Sequence, residues 1–328
     1  YLSPATCATL YAASTPAWLA AGRRVRRVVK QRYVPLVAIG AAYCFLVMMF
    51  NVPVPDGTTA HAVGGVLVAC VLGPWAAVIA VSTALLIQAL FFGDGGVLAF
   101  GANAFNMAVV MPFAGYGVYR LVAGGASLTA RRRAFAAGLG GYVGINAAAF
   151  LTAIEFGLQP VWFHRADGTP LYAPFHLAQS IPAMMFAHLV VAGVVEFALT
   201  AGVVTYLQRA NLPLMRINHR NVHDGTGDIA DDVARVPAFR FRFALIGLAV
   251  MAVLTPVGLL APGSAFGEDA PPKLGFLRGY DFTSGAHPLV GYVVSAALGI
   301  VVIGLVTVGG LAISRRGRRR AVRCEAAA

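Results

Sequence analysis

The chain has 328 residues, of which 59% are hydrophobic and only 12% charged, with a formal net charge of +12 at pH 7. A soluble domain carries about a quarter charged residues, so half that share, with apolar runs of about 18 residues or more, excludes a water-soluble globule and makes lipid the solvent. The basic residues sit in short runs beside apolar segments, with no zinc-finger spacing or aromatic-interleaved basic groove; this excludes nucleic acid as a partner and fits the positive-inside pattern.

The sequence begins at Tyr1, and no basic n-region precedes the first apolar run. A segment ahead of Tyr1 is therefore expected to be missing or removed. The first helix is expected from about Ala5 to Ala21. Arg23, Arg24, Arg26, Arg27, Lys30 and Arg32 follow it and place that end in the cytoplasm. Ala13, Ala17 and Ala21 recur at spacing four, which lets a second helix approach closely; alanine is also simply common in this chain.

A second segment, Val34 to about Phe50, runs back outward into Val54-Pro55-Asp56-Gly57-Thr58-Thr59-Ala60-His61-Ala62-Val63-Gly64-Gly65. Ala62 to Leu72 is too short to span, and after Gly73-Pro74 the chain continues from Trp75 to Phe92. Pro74 suits a helix start. A partner of about eleven residues needs the loop before it to fill the remaining depth. Non-helical backbone at membrane depth is tolerated where protein buries it or it lines a cavity, so the His61 loop is expected to be folded into the protein.

After Gly93-Asp94-Gly95-Gly96 come segments from about Ala102 to Val122 and, past Arg131-Arg132-Arg133, from Ala134 to Phe156. A loop carries Trp162, His164 and His176, and Ile181 to Leu207 returns to Arg209, Arg216, His219 and Arg220. The expected fold is all-α and polytopic. It has a seven-helix domain over 1–210, a cytoplasmic linker over 211–237 rich in Asp and Gly, and a two-helix unit over 238–328. The two helices are expected at Phe239 to Leu260 and His287 to Ile313, with the N-terminus outside and the C-terminus in the cytoplasm.

Cys7, Cys44, Cys70 and Cys324 form no CxxC, so neither a disulfide framework nor a thiolate metal cage is indicated. GxxxxGK[ST], HExxH and GxSxG are absent. An enzyme is unsupported, no cofactor is implied, and active transport would draw on another subunit or an ion gradient.

His61 stands at a helix start among glycines and threonines, and imidazole is a ligand for Ni, Co, Cu and Zn. A lone interfacial histidine also serves as a hydrogen-bonded structural residue. His188 and Glu196 lie eight residues apart in the seventh span, where ionisable groups are functional candidates or interhelical hydrogen-bonding groups. Gln88, Asn103 and Asn106 either orient a ligand from a second layer or satisfy loop backbone. His164, His176, His219, His223 and His287 lie in or beside loops, where solvated histidine is ordinary.

Several stretches together are similar to a known family. The His61 loop, Leu72-Gly73-Pro74-Trp75-Ala76-Ala77, Gln88-Ala89-Leu90-Phe91-Phe92-Gly93-Asp94-Gly95-Gly96 and Gly101-Ala102-Asn103-Ala104-Phe105-Asn106-Met107-Ala108-Val109-Val110 resemble the CbiM/NikM substrate-capture subunits of energy-coupling-factor (ECF) transporters for cobalt and nickel. The likeness covers about residues 1–210. Thr255-Pro256-Val257-Gly258-Leu259-Leu260-Ala261-Pro262-Gly263 and Gly291-Tyr292-Val293-Val294-Ser295-Ala296 resemble the helix boundaries of the two-helix CbiN/NikN partner, without its Pro-Asp-Gly-Leu-Glu signature.

The resemblance implies a seven-helix fold that captures Co²⁺ or Ni²⁺ at the outer face of a bacterial or archaeal cytoplasmic membrane, a step toward cobalamin biosynthesis or nickel supply. It implies a transmembrane coupling subunit and two ATPase subunits as partners, with Ala13, Ala17 and Ala21 as the docking stripe. His61 matches the family's later ligand histidine. The other nitrogen donors are expected in a Met-His segment that would precede Tyr1. Two alternatives stay open: a membrane metalloenzyme using His188 and Glu196, and an ECF capture subunit for an organic vitamin.

Overall fold

The computed structural model describes residues 2–28, 34–54, 59–219, 241–256 and 290–306. The fold is all-α; extended pairing among these residues is limited to a short hairpin, β1 (Val52–Pro53) against β2 (Thr59–Ala60), with Val52 opposite Ala60, and a single bridge between His164 and Pro170. The seven expected helical segments of residues 1–210 are present. They are α1 (Pro4–Val28), α2 (Val34–Met48), α3 (Gly65–Leu72), α4 (Pro74–Ile87), the pair α5 (Phe100–Asn103) and α6 (Met111–Ala123), α7 (Arg131–Gly157), and the pair α9 (Leu177–Ala187) and α10 (Gly193–Ala210). Two short helices, α8 (Gln159–Trp162) and α11 (Leu212–Arg216), close turns. Among the described residues, three continuous helical stretches, Pro74–Phe92, Arg131–Trp162 and Leu177–Ala210, are long and apolar enough to cross a membrane.

α1 starts as its sequence dictates. Ser3 caps it, its Oγ accepting the Thr6 N–H at 3.1 Å, and Pro4 occupies the first helical position, where no N–H is needed. The helix runs past Pro16 to Val28, one to two turns beyond the expected Ala21. Tyr11 and Ser14 donate to the Val97 and Gly101 carbonyls at 2.6 and 3.0 Å, and Trp18 stacks on Phe100 at 5.5 Å. Ala13 is exposed, Ala17 half-buried and Ala21 fully buried. Of the three alanines, Ala13 and Ala17 therefore face outward, while Ala21 is covered by the chain itself.

The centre of the bundle is built on small residues in α7. A Cβ on Gly115 of α6 would sit 2.5 Å from the Gly140 carbonyl, and one on Gly144 would sit 2.7 Å from the Met111 carbonyl. α6 and α7 thus cross backbone to backbone, the packing that lipid-embedded helices use in place of a hydrophobic drive. On its other side α7 meets α10 at Gly138 and Gly141.

α3 is only eight residues long, shorter than the eleven expected. It ends at Gly73, whose φ of 94° no L side chain adopts readily, and Pro74 opens α4. Two helices of the C-terminal part, Phe241–Leu254 and Val290–Val306, join the same core through Leu248, Ala252, Ala296 and Ile303, with Gly299 against the Phe45 ring of α2. Residues 211–219, placed in the linker by the sequence reading, fold onto the bundle through α11. The rest of that linker, the 261–286 loop, Pro55–Thr58 of the His61 motif, and the basic run Arg315–Arg320 lie outside the described residues.

Candidate metal-binding site

His61 follows β2 directly and is half-buried. Its Nδ1 lies 3.1 Å from the Ala62 carbonyl. A carbonyl only accepts, so Nδ1 carries the proton and Nε2 keeps the lone pair that a metal needs. Desolvation lowers the imidazole pKa below its usual value, opposed by the Ala62 carbonyl and by the Asp94 carboxylate. The neutral ring at pH 7 is the ligand form.

Three helices lose their α register within the bundle. Single π turns cover Gln88–Phe92, Ala104–Val110 and His188–Ala192. Such turns push one extra residue out of the ladder and concentrate at functional sites. Each holds one of the polar candidates: Gln88, Asn106 and His188.

The π turn at Gln88 delivers the chain into the Gly93–Gly96 turn. Asn103 reaches that turn from α5, its amide 3.5 Å from the Gly95 carbonyl. Asn103 thereby supports the segment bearing Asp94, the carboxylate that acts on His61.

Asn106 does something else. Its amide donates to Thr152 Oγ1 and to both oxygens of Glu155, each at 3.0 Å, while its own Oδ1 is buried without a partner. Gln159 extends this network, donating to the Glu155 carbonyl at 2.8 Å and accepting the Ser3 N–H at 2.9 Å. The start of α1 is thus tied to the end of α7.

His188 donates from Nδ1 to the Met184 carbonyl at 2.8 Å, and the π turn that begins with it lies against β2. Glu196 is fully buried. Its Oε2 accepts the N–H groups of Val63 at 2.8 Å and Gly64 at 2.9 Å, and Thr200 Oγ1 stands 3.4 Å from Oε1. The two residues read as a possible pair are therefore committed to different partners: His188 to its own helix, Glu196 to the backbone just after His61.

Sequence reasoning missed Glu155, Gln159, Asp94 and Tyr43 at this end of the bundle. Glu155 was findable, since an acidic residue inside an apolar span is a functional candidate by default. His219, read as a loop histidine, is buried at the opposite end, its Nε2 2.8 Å from the Tyr119 hydroxyl. Among the described residues no three His, Cys, Asp or Glu side chains converge as a metal cage.

Residues 1–214 match the CbiM family, described as the cobalt uptake substrate-specific transmembrane region. The chain belongs to the CbiM family. It is 49% identical over 270 residues to the fused nickel transport protein NikMN of Rhodobacter capsulatus, covering 82% of this chain and 73% of that one. Against the probable fused nickel transport protein LarMN of Lactiplantibacillus plantarum the identity is 41% over 337 residues, 95% of each chain. A crystal structure of a transition metal transporter, 55% identical, covers 67% of this chain and 96% of its own, with a TM-score of 0.62. The chain is thus a CbiM/NikM-type membrane protein with a NikN-like unit fused behind it, in a family of metal-uptake transporters.

Proposed function

We propose that this CbiM-family chain is the substrate-capturing component of an ECF-type uptake transporter for divalent nickel or cobalt, and that it takes the ion at the outer face beside His61. The observation that carries this reading is the fixed tautomer of His61, which leaves a neutral Nε2 donor just after β2, itself packed against the π turn that begins at His188. Nitrogen donors suit Ni²⁺ and Co²⁺ over Ca²⁺ and Mg²⁺. Both fused relatives are named nickel transport proteins, so nickel is the first ion to test.

The chain carries no phosphate-binding loop for ATP, so the energy would come from partners: a transmembrane coupling subunit and two ATPase subunits. The arginine runs that end α1 and open α7 argue for the orientation, N-terminus outside and those ends in the cytoplasm of a prokaryotic cell. α1 would dock on the coupling subunit through its small outward residues, among them Ala13 and Ala17. The metalloenzyme alternative loses its support, since Glu196 is not paired with His188: its carboxylate accepts the Val63 and Gly64 N–H groups and faces the Thr200 hydroxyl.

The test is uptake of Ni²⁺ and Co²⁺ by cells carrying the full-length protein with its partner subunits, wild type against His61→Ala. Uptake should fall to the level of cells without the transporter. Uptake equal to wild type would remove His61 from the site.

A further inference from the structure

We propose that Glu196 is the positioning residue of the site: its carboxylate sets the backbone behind His61 and thereby aims the imidazole. This rests on His61 being a ligand of the transported ion, and the test below separates the two claims.

The first N–H groups of any helix lack intrahelical partners. α3 meets that need poorly from its own sequence, because its N-cap is Gly64, which has no side chain to accept a bond. Glu196 supplies the acceptor from α10, 132 residues further along the chain. One oxygen, Oε2, takes both the Val63 and the Gly64 N–H. A carboxylate at a helix N-terminus also answers the positive end of the helix dipole.

The surroundings are shaped for this contact. Gly141 of α7 lets Glu196 approach, since a Cβ there would lie 3.2 Å from Glu196 Cγ. Across the segment, the Tyr43 ring of α2 closes on Gly64. Val63 and Gly64 are therefore gripped from both sides, two and three residues beyond His61. Without the Glu196 oxygen, two donors would stay unpaired in an apolar interior, and the segment would shift to satisfy them. An ionisable residue inside a span calls for a reason; here the reason is geometric, with Oε2 on the backbone of Val63 and Gly64 and Oε1 toward the Thr200 hydroxyl.

The test uses Glu196→Gln, Glu196→Asp, Glu196→Ala, His61→Ala and, as a control, Ser180→Ala. Ser180 bonds only the Ala153 carbonyl between α9 and α7, so its loss weakens the bundle without touching the loop. Ni²⁺ affinity, the ligand-field spectrum of bound Ni²⁺ and the melting temperature are measured on the purified full-length protein. A glutamine oxygen can take the place of Oε2 and accept both N–H groups, so Glu196→Gln should bind within about threefold of wild type with an unchanged spectrum. Asp withdraws the acceptor by one methylene, so Glu196→Asp should weaken binding, and Glu196→Ala by about 10- to 100-fold, the range for residues that orient a metal ligand. Ser180→Ala should lower the melting temperature and leave affinity unchanged.

If Glu196→Ala does not fold, the Asp and Gln variants decide alone. Asp binding normally while Gln fails would mean that charge matters rather than geometry, and would overturn the proposal. So would affinities that follow the melting temperature in every variant, Ser180→Ala included. Weak His61→Ala with normal Glu196→Asp overturns the positioning role only, whereas wild-type binding by His61→Ala overturns the ligand reading and this proposal with it.

Discussion

The ring of Tyr43 lies directly on Gly64, so close that a Cβ built on the glycine would overlap Cε1 and come within 2.9 Å of Cδ1. Gly64 also has a φ of 75°, the left-handed region. Gly64→Ala therefore meets two independent penalties. The backbone strain costs about 1–2 kcal/mol, and relief of the overlap must displace either the ring or the His61 loop. Thermal stability should fall and Ni²⁺ affinity with it. Adding Tyr43→Leu should recover the part due to overlap but not the strain, so a double variant as stable as wild type would contradict the account.

Tyr43 itself carries a buried hydroxyl with no hydrogen-bond partner. An unsatisfied buried polar group is costly, and removing it is neutral or favourable. Tyr43→Phe should leave the melting temperature unchanged or raise it, by up to about 1 kcal/mol in stability, with Ni²⁺ affinity unaltered. A clear loss of stability would mean that the hydroxyl has a partner after all.

The helices and their order were legible because lipid leaves only one solution for a spanning chain, and the apolar runs and arginine clusters mark its ends. His61 was legible through its motif. Its support was not. Glu196 stands 135 residues away in sequence, and no spacing rule links it to Val63 and Gly64. The π turns at Gln88, Asn106 and His188 are likewise invisible to a 3.6-residue period, since each adds a residue without changing composition. The burial of His219 escaped for a related reason: its partner Tyr119, and Arg133 that bonds the same Tyr119 hydroxyl, come from two other helices.

At the end of the bundle away from His61, Arg133 is almost fully buried. It donates to the Tyr119 hydroxyl at 2.8 Å and to the Ser127 and Ala126 carbonyls. Replacing it by Met keeps much of the volume but deletes these charge-assisted bonds and strands their acceptors. A loss of about 2–4 kcal/mol is expected, visible as a lower melting temperature, with Ni²⁺ affinity at the distant loop held within about twofold. A similar loss of affinity and stability would contradict this separation of the two ends.

His219 gives this end a pH signature. Its Nδ1 donates to the Met215 carbonyl and its Nε2 accepts from Tyr119. Burial, reinforced by the charges of Arg133 and Arg120, pushes its pKa from 6.5 to about 4. The folded state thus favours the neutral ring, while the unfolded chain takes up a proton below about 6.5. The contribution is fully present above pH 6.5 and is lost progressively as pH falls through 4, by at most about 3 kcal/mol. Melting temperature should decline between pH 6.5 and 4, and His219→Gln should flatten that decline. An acid limb unchanged in the variant would assign it to other groups.

α3 is held at both ends by side chains from elsewhere. Glu196 accepts the N–H groups of the N-cap Gly64 and of Val63 before it, and Asn218, just beyond α11, donates to the Ala69 and Cys70 carbonyls at 3.2 and 3.3 Å and to the Tyr116 hydroxyl at 3.1 Å. The two caps stand about 12 Å apart for eight residues of helix, a distance at which substitutions usually add. Here they should not. A helix of two turns is too short to fray at one end while the other stays wound, because helix formation is cooperative and marginal below about 12 residues. Loss of either cap should therefore release much of what the other holds. Asn218→Ala alone should cost about 1–2 kcal/mol, and combined with Glu196→Ala the loss should be smaller than the sum by more than about 0.5 kcal/mol. Strict additivity in the double-mutant cycle would show that α3 does not respond as one unit.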